Sequence, residues 1–547
     1  MDTNTTSEAP ARAGRREWIG LGVLALPTLL LSLDISVLNL ALPHLSSDLG
    51  ANATQQLWIM DIYGFMIAGF LITWGNLGDR IGRRKLLLFG AAAFGVASVL
   101  AAYASSPNTL IAARAVLGIS GATLMPSLLA LIGNMFHDPK QRGTAIGVWM
   151  SCFMGGMALG PVAGGALLDH FWWGSVFLLG VPVMALLLIL GPLLLPEHRD
   201  PAAGKTDLLS VVLSLATILP IIYAAKRLAT DGFAAATLLT LLAGVVIGVV
   251  FVQRQRKLAS PLLDLRLFRN RTLSSALGVA LLCSATMGGV TLLVSLYLQQ
   301  VAGLSPLKAG LWLVPSFALA IIGNLAAPNL ARRIRPAYAI AIGLLVTTVG
   351  LLLLAQADGE GGIALVVTGY AIAFAGTSPM GVLSTELVVG SAPPEKTGSA
   401  AAMSETNGEF GIAMGIAVLG SVGAAVYRGR MDDTMPADVP AVAADSARDS
   451  LSGASQAASD LPGATGDGLL SVAREAFTGG LHVVAVSAAV AMVAFAVLSV
   501  VVLRHVRPSA ESEQQPDERD GGTPGETAGE PGGTAEPGTV GSATTQS

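Results

Sequence analysis

Fourteen apolar stretches, each long enough to cross a bilayer, constrain this chain more than any other feature. They fall near 18–42, 57–77, 86–104, 108–132, 143–166, 173–195, 207–226, 233–252, 273–298, 307–330, 338–356, 362–388, 399–427 and 477–503. About 20 apolar residues span the hydrocarbon core as a helix, and a lone strand there could not satisfy its own backbone. The sequence therefore predicts an all-α polytopic membrane protein. Only 12% of residues are charged and mean hydropathy is +0.65, against about 25% charged in a soluble domain. Net charge is −4 with no dense basic run among aromatics, so no nucleic acid partner is expected. Two cysteines, Cys152 and Cys283, lie in apolar runs; they exclude a disulfide framework and read as buried, inert thiols. The first stretch, from Trp18 to about Leu42, is too long for a signal-peptide core and lacks a cleavage site. Arginine well in excess of lysine, with abundant alanine and glycine, hints at a GC-rich bacterial genome.

Loop charge orients the spans. With the N-terminus inside, the inner loops collect the basic residues, from Arg80, Arg83, Arg84 and Lys85 to Arg332, Arg333, Arg335 and Lys396. The short outer loops hold little beyond Lys226, Arg227 and Lys308. Cytoplasmic loops carry the excess of Lys and Arg, so both termini are expected in the cytoplasm of a bacterial cell, beneath its inner membrane. "NLGDRIGR" (Asn76–Arg83) after the second span is echoed by "NLARRIRP" (Asn329–Pro336) after the tenth, as in duplicated parallel halves. The division is then a cytoplasmic N-terminus (1–17), a six-helix half (18–195), a linker with two extra spans (196–272) and a second six-helix half (273–503). An Ala/Ser/Asp-rich outer loop (428–476) interrupts the second half, read either as a hairpin over the outer mouth or as a solvated linker. A Gly/Pro/Glu/Thr-rich cytoplasmic tail (504–547) is expected to be disordered.

Four motifs lie in the first half. "GNLGDRIGRRKLLL" (Gly75–Leu88) spaces Gly75, Asp79, Arg80, Gly82 and Arg83 along a helix-connecting turn; glycine permits the tight turn and an acid suits a helix N-terminus. "LIAARAVLGISGA" (Leu110–Ala122) puts Arg114 inside the fourth span, four residues before Gly118. An intramembrane arginine needs an anion, and Asp34 is the expected partner. "GMALGPVAGG" (Gly156–Gly165) sets Gly156, Gly160, Gly164 and Gly165 around Pro161, which allows close helix contact and a bend. "LDISVLNLALP" (Leu33–Pro43) places Asp34 in the first span.

Together these resemble the signature loop, the arginine motif, the antiporter motif and the first-helix motif of the major facilitator superfamily, in its fourteen-helix drug:proton antiporter family. "WIMDIYGF" (Trp58–Phe65), "WGSVFLLGVP" (Trp173–Pro182), "PLLDLRLFRNR" (Pro261–Arg271) and "YLQQVAGLSPLKAGLWLVP" (Tyr297–Pro315) extend the likeness over about 490 residues, toward the quaternary-ammonium and methyl-viologen exporters of the QacA/SmvA type. The resemblance implies a major facilitator fold with two extra central helices, and export driven by the proton gradient with no cofactor or metal. It further implies amphipathic cations as substrates, a functional monomer in the lipid bilayer, and drug or antiseptic resistance as the outcome.

Asp34, Asp61, Glu405 and Glu409 all lie within spans, the last two one turn apart on one helical face. Desolvation favours the neutral form of a carboxyl, so a proton and a cation can compete for such a group, and that competition is antiport. Asp34 has a bland reading as a structural partner of Arg114, Asp61 as a solvated residue near the outer end of its helix, and Glu386 as an interfacial residue. Trp58 and Tyr63 flank Asp61 and could offer cation–π faces or simply belong to the aromatic belt. Asn324 stands where quaternary-ammonium exporters can carry an aspartate, and acidity there goes with acceptance of divalent cations. The resemblance therefore implies a preference for monovalent ones.

Two other functions are weighed. "GISG" (Gly118–Gly121) matches an intramembrane serine protease motif superficially, but the one histidine inside a predicted span is His482, so no enzyme is expected. A dedicated self-resistance exporter of a single natural antibiotic would carry the same motifs and remains the alternative.

Overall fold

Caps and basic turns decide where the helices break. In a computed structural model the described residues are 13–51, 53–197, 207–231, 234–258, 261–357, 362–393, 396–436, 438–504 and 506. The distal tail from 507 and the first twelve residues, both covered by expectations above, lie outside them, as do Arg199 and Lys205. Among the described residues every regular element is helical.

The first half holds α1 (Arg15–Leu49), α2 (Ala53–Ile81), α3 (Arg83–Ala102), α4 (Pro107–Met135), α5 (Pro139–His170) and a sixth span broken into α6 (Ser175–Leu178) and α7 (Gly180–Leu194). The Ser106 side chain caps α4, and Asp138 caps α5 ahead of Pro139, satisfying N-terminal amides that have no partner within the helix. Gly50 ends α1 at φ 64°, a left-handed turn that glycine takes without steric cost.

Two further helices follow, α8 (Leu208–Asp231) and α9 (Ala235–Lys257). The second half comprises α10 (Arg271–Leu296), α11 (Pro306–Arg333), α12 (Pro336–Leu354), α13 (Ile363–Gly390), α14 (Thr397–Thr434) and α17 (Gly463–Leu503), with α15 (Ala441–Asp449) and α16 (Leu451–Ser459) before the last. Thirteen helices among the described residues are long and apolar enough to cross a membrane, and the described apolar part of α8, Leu208–Ala224, is a shorter fourteenth.

The packing repeats itself. In the first half α1 lies on α5 and α2 on α4; in the second, α10 lies on α14 and α11 on α13. The halves meet through the equivalent pairs α2 with α14 and α5 with α11, a two-fold relation expected of duplicated halves. Each half has its own apolar core, and the first core reaches across to Ala327, Val382, Val389 and Ala401 at the basic end of the second.

The extra pair is anchored on one side. α8 packs on α2 and α14, with Ile222 buried among Phe65, Ala68 and Ala413. Leu239, Leu242, Val246 and Val249 of α9 are exposed, the surface a lipid-facing helix presents. Asp207 and Arg254 tie the ends of the two helices together at 2.8 Å. The Arg254 and Ser210 hydrogen bonds hold the Asp207 carboxyl down to about 2, so it stays anionic throughout the working pH range.

Residues 428–476 are packed helix for most of their length, not a solvated linker. α14 runs on to Thr434, the Tyr427 hydroxyl donates to the Ala447 carbonyl at 2.7 Å, and Arg448 pairs with Asp432 and Asp445 at 2.9 Å. Ala447, Leu451 and Ala454 are buried in the core of the second half. Apolar alanines at helical spacing supply that contact, which an overall reading of composition as Ala/Ser/Asp-rich obscures. Both cysteines are free thiols, Cys152 half-buried and Cys283 buried.

Candidate functional site

Arg114 organises the first half, because a guanidinium only 1% exposed must find an anion. It finds Asp34, Nη1 to Oδ2 at 3.3 Å. Its Nε donates to the Ile59 carbonyl at 2.6 Å, and its guanidinium carbon stands 4.9 Å from the centre of the Tyr63 ring. Gly118, one turn on, makes this approach possible: a Cβ there would come within 2.7 Å of the Met66 Cβ. The ring face of Tyr63 is thus occupied by an internal cation.

Tyr63 lies on α2, one of the helices that meet α14 of the other half. Its hydroxyl is buried without a hydrogen-bond partner among the described residues. Glu409 lies on α14 one turn beyond half-buried Glu405, and the two glutamates act on each other. Between them the Asn407 amide donates to the Leu277 carbonyl of α10 at 3.0 Å, which fixes the rotation of α14. α14 packs on α2 and α4, the helices that carry Tyr63 and Arg114.

The remaining predicted residues sit elsewhere. Trp58 meets Phe65 edge-on at 6.2 Å, and Phe65 meets Tyr223 of α8 at 6.4 Å, so this aromatic row turns toward the extra helices. Asp61 is half-buried on the same stretch of α2. Asn324 is buried on α11 and lines a separate cavity among α5, α10, α11 and α13.

The motif turn builds a latch at the basic end. Arg83 is fully buried; its Nε donates to Asp79 at 2.9 Å and its Nη2 to the Gly75 carbonyl at 2.5 Å. Asp79 in turn accepts the Ser399 backbone amide of α14 at 3.0 Å, an anion against a helix N-terminus. A Cβ on Gly398 would collide with the Arg83 guanidinium, and one on Gly75 with the Ala402 side chain. Gly82 takes φ 112°, and a side chain there would run into Glu197, which holds Arg84 at 3.6 Å. Arg80 ends α2, half-buried; the buried arginine of the turn is Arg83.

The "GMALGPVAGG" stretch forms the α1–α5–α11 junction. A Cβ on Gly156 would overlap Ser32 and the Leu29 carbonyl of α1, and one on Gly164 would lie 2.9 Å from a Val37 methyl. Gly160 is buried; Pro161 packs against Gly310 of α11, and Gly165 faces Leu307.

Sequence reasoning missed the far side of the latch. "TGSAAAM" (Thr397–Met403) supplies Gly398, Ser399 and Ala402, and its density of small residues is the signal for close helix approach. It also undervalued Glu386, whose carboxylate faces Arg142 of α5 and Arg332 of α11 across the same end of the bundle. A Cβ on Gly143 would lie 2.8 Å from Glu386 Oε2, so this is a contact between halves.

Residues 24–416 match the model of the Major Facilitator Superfamily. The chain is 43% identical over 502 residues to the multidrug efflux pump LfrA of Mycolicibacterium smegmatis, covering 92% of this chain and 98% of that one. It is 34% identical over 499 residues to the methyl viologen resistance protein SmvA of Salmonella typhimurium, covering 87% and 96%. It is also 30% identical over 537 residues to the tetracenomycin C resistance and export protein of Streptomyces glaucescens, covering 95% and 98%. The crystal structure of the human organic anion transporter MFSD10 (TETRAN) superposes with a TM-score of 0.57 at 17% identity, over 88% of this chain and 99% of that one, and shows the same fold. With duplicated halves, a buried Asp–Arg pair, a latched motif turn and relatives matched nearly end to end, this chain belongs to the major facilitator superfamily.

Proposed function

We propose that this protein is a proton-coupled multidrug exporter that expels lipophilic and quaternary cations across a bacterial plasma membrane, with both termini in the cytoplasm. The observation that carries the reading is that α14, which bears Glu405 and Glu409, packs on α2 and α4 of the first half, where Arg114 of α4 holds Asp34 at 3.3 Å. A site shared between halves is remade each time they rock, so its occupant can change between the two faces.

The basic end is taken as cytoplasmic. There the Asp79–Ser399 contact and the Glu386 cluster hold the halves together, which describes a state closed inward. In this state protons arriving from outside reach Asp34, Glu405 and Glu409, neutralise them and release the bound cation. Opening inward then exposes the protonated groups to the higher cytoplasmic pH. They lose their protons, and the restored negative charge draws in the next cation. Arg114 holds Asp34 in position and stabilises it while no cation is present. The proton gradient supplies the work, no cofactor takes part, and one chain contains both moving halves.

A resistance panel in a strain lacking its own exporters tests this. Protection against dyes, quaternary ammonium compounds and biguanides, lost when an uncoupler collapses the gradient, is the expected result. A second reading, export of one natural antibiotic, is favoured by the full-length likeness to a tetracenomycin exporter. Protection against one scaffold alone would select it.

A further inference from the structure

The cavity beside Asn324 is almost wholly apolar. Met150 and Met154 of α5, Met287 and Cys283 of α10, and Met380 and Phe374 of α13 make up half of its lining residues, and no carboxylate lines it. Two of its hydroxyls are bonded within the bundle, Ser378 donating to the Ala320 carbonyl at 3.2 Å and Thr377 to the Phe374 carbonyl at 2.7 Å, which leaves Ser284 and Asn324 as its other polar side chains. Phe374 is fixed by its own neighbours, with Phe317 at 5.9 Å and Tyr370 at 5.4 Å between ring centres. The volume is about 140 Å³. An apolar cavity of about 150 Å³ in another protein stays dry and holds one benzene. Methionine sulfur makes favourable contacts with aromatic rings, and its flexible chain fills gaps around them.

We propose that this cavity is a subsite for a single aromatic ring carried by the cationic substrate, with the charge held elsewhere. It rests on the reading of the chain as a cation exporter and adds a chemical class to it: cations bearing one benzyl-sized substituent are preferred over their all-methyl analogues. The cavity lies between α5 of one half and three helices of the other, so the ring is gripped in one state and released as the halves part. Its walls accommodate one ring, not two fused ones.

The test uses alkyltrimethylammonium and alkylbenzyldimethylammonium compounds of equal tail length, with the full chain expressed in an exporter-deficient strain. Wild type should favour the benzyl compound by about tenfold in apparent affinity, equivalent to one well-packed ring at 1.4 kcal/mol per decade. Met154→Trp, which fills the cavity, should lower the benzyl-to-methyl ratio of transport at least several-fold. Met287→Ala, which enlarges it, should raise transport of a naphthylmethyl analogue relative to the benzyl compound, and immunoblots establish that each variant reaches the membrane. An unchanged benzyl-to-methyl ratio in inserted Met154→Trp, with no relative gain of the naphthylmethyl analogue in inserted Met287→Ala, would overturn the subsite while leaving cation export standing. Failure of the wild type to export any member of the series would overturn the exporter reading and the subsite together.

Discussion

The two halves of the bundle share one architecture but arrange the carboxylates of their spans differently. In the first half two carboxylates are matched to arginines of the same half: Asp34 to Arg114 at 3.3 Å, and Asp79 to Arg83. In the second half α14 sets Glu405 and Glu409 one turn apart, where they act on each other. A matched pair is a fixed unit, because removing one partner leaves an uncompensated charge at a cost of about 3–5 kcal/mol. Two coupled carboxyls share protons and titrate as a pair. On the proposed reading, alignment and latching fall chiefly to the first half and adjustable proton occupancy chiefly to the second, with Asp34 taking part in both.

The largest expected effect comes from breaking a matched pair. Asp34→Asn strands Arg114, and cation efflux should fall by more than about 100-fold, the equivalent of some 3 kcal/mol, in protein that still inserts. Wild-type efflux by this variant would remove Asp34 from coupling. Next is the latch. Gly398→Val puts a side chain where the Arg83 guanidinium lies, and overpacking of about 1–3 kcal/mol should cut transport roughly tenfold while making buried Cys283 more reactive toward a thiol reagent applied from the cytoplasm. Transport and labelling like those of the wild type would mean the contact is dispensable.

The coupled pair should respond differently. Glu405→Gln and Glu409→Gln should leave export measurable but blunt its dependence on outside pH, and the double variant should blunt it further, leaving the part due to Asp34. If all three retain the wild-type pH profile, the pair is structural and the contrast between halves fails. The smallest effect is expected from adding an acid to the second half. Asn324→Asp places a carboxyl in a cavity that has none, and export of rigid dications should improve several-fold relative to monocations. Strong dication export by the wild type, unaltered by the substitution, would show that charge at this position does not set valence preference.

Much of this was legible in the residues because membrane rules are strict. Span count and the need of Arg114 for an anion both follow from the absence of water in hydrocarbon, which leaves few solutions for a backbone or a charge. The Asp79 turn could be read as a motif, yet its partner could not. Ser399 contributes a backbone amide, and a backbone amide has no sequence signature. Small residues at Gly398 and Ala402 were the visible trace of that contact. The Met-lined cavity was hidden for another reason: Met150, Met287 and Met380 lie far apart along the chain and look like ordinary span residues until the halves are packed together. The helices of 428–476 were obscured by their alanines, which serve packing as well as they serve a linker.

The account turns on protons and cations competing for the same carboxyls, and proton release on cation binding measures that competition directly. Purified protein in weakly buffered solution, given a quaternary ammonium ligand, should release protons as the ligand binds. The release should shrink in Glu405→Gln and Glu409→Gln, and vanish when Asp34→Asn is added to both. Binding of the cation with no proton release, or the same release from the triple variant as from the wild type, would contradict the account.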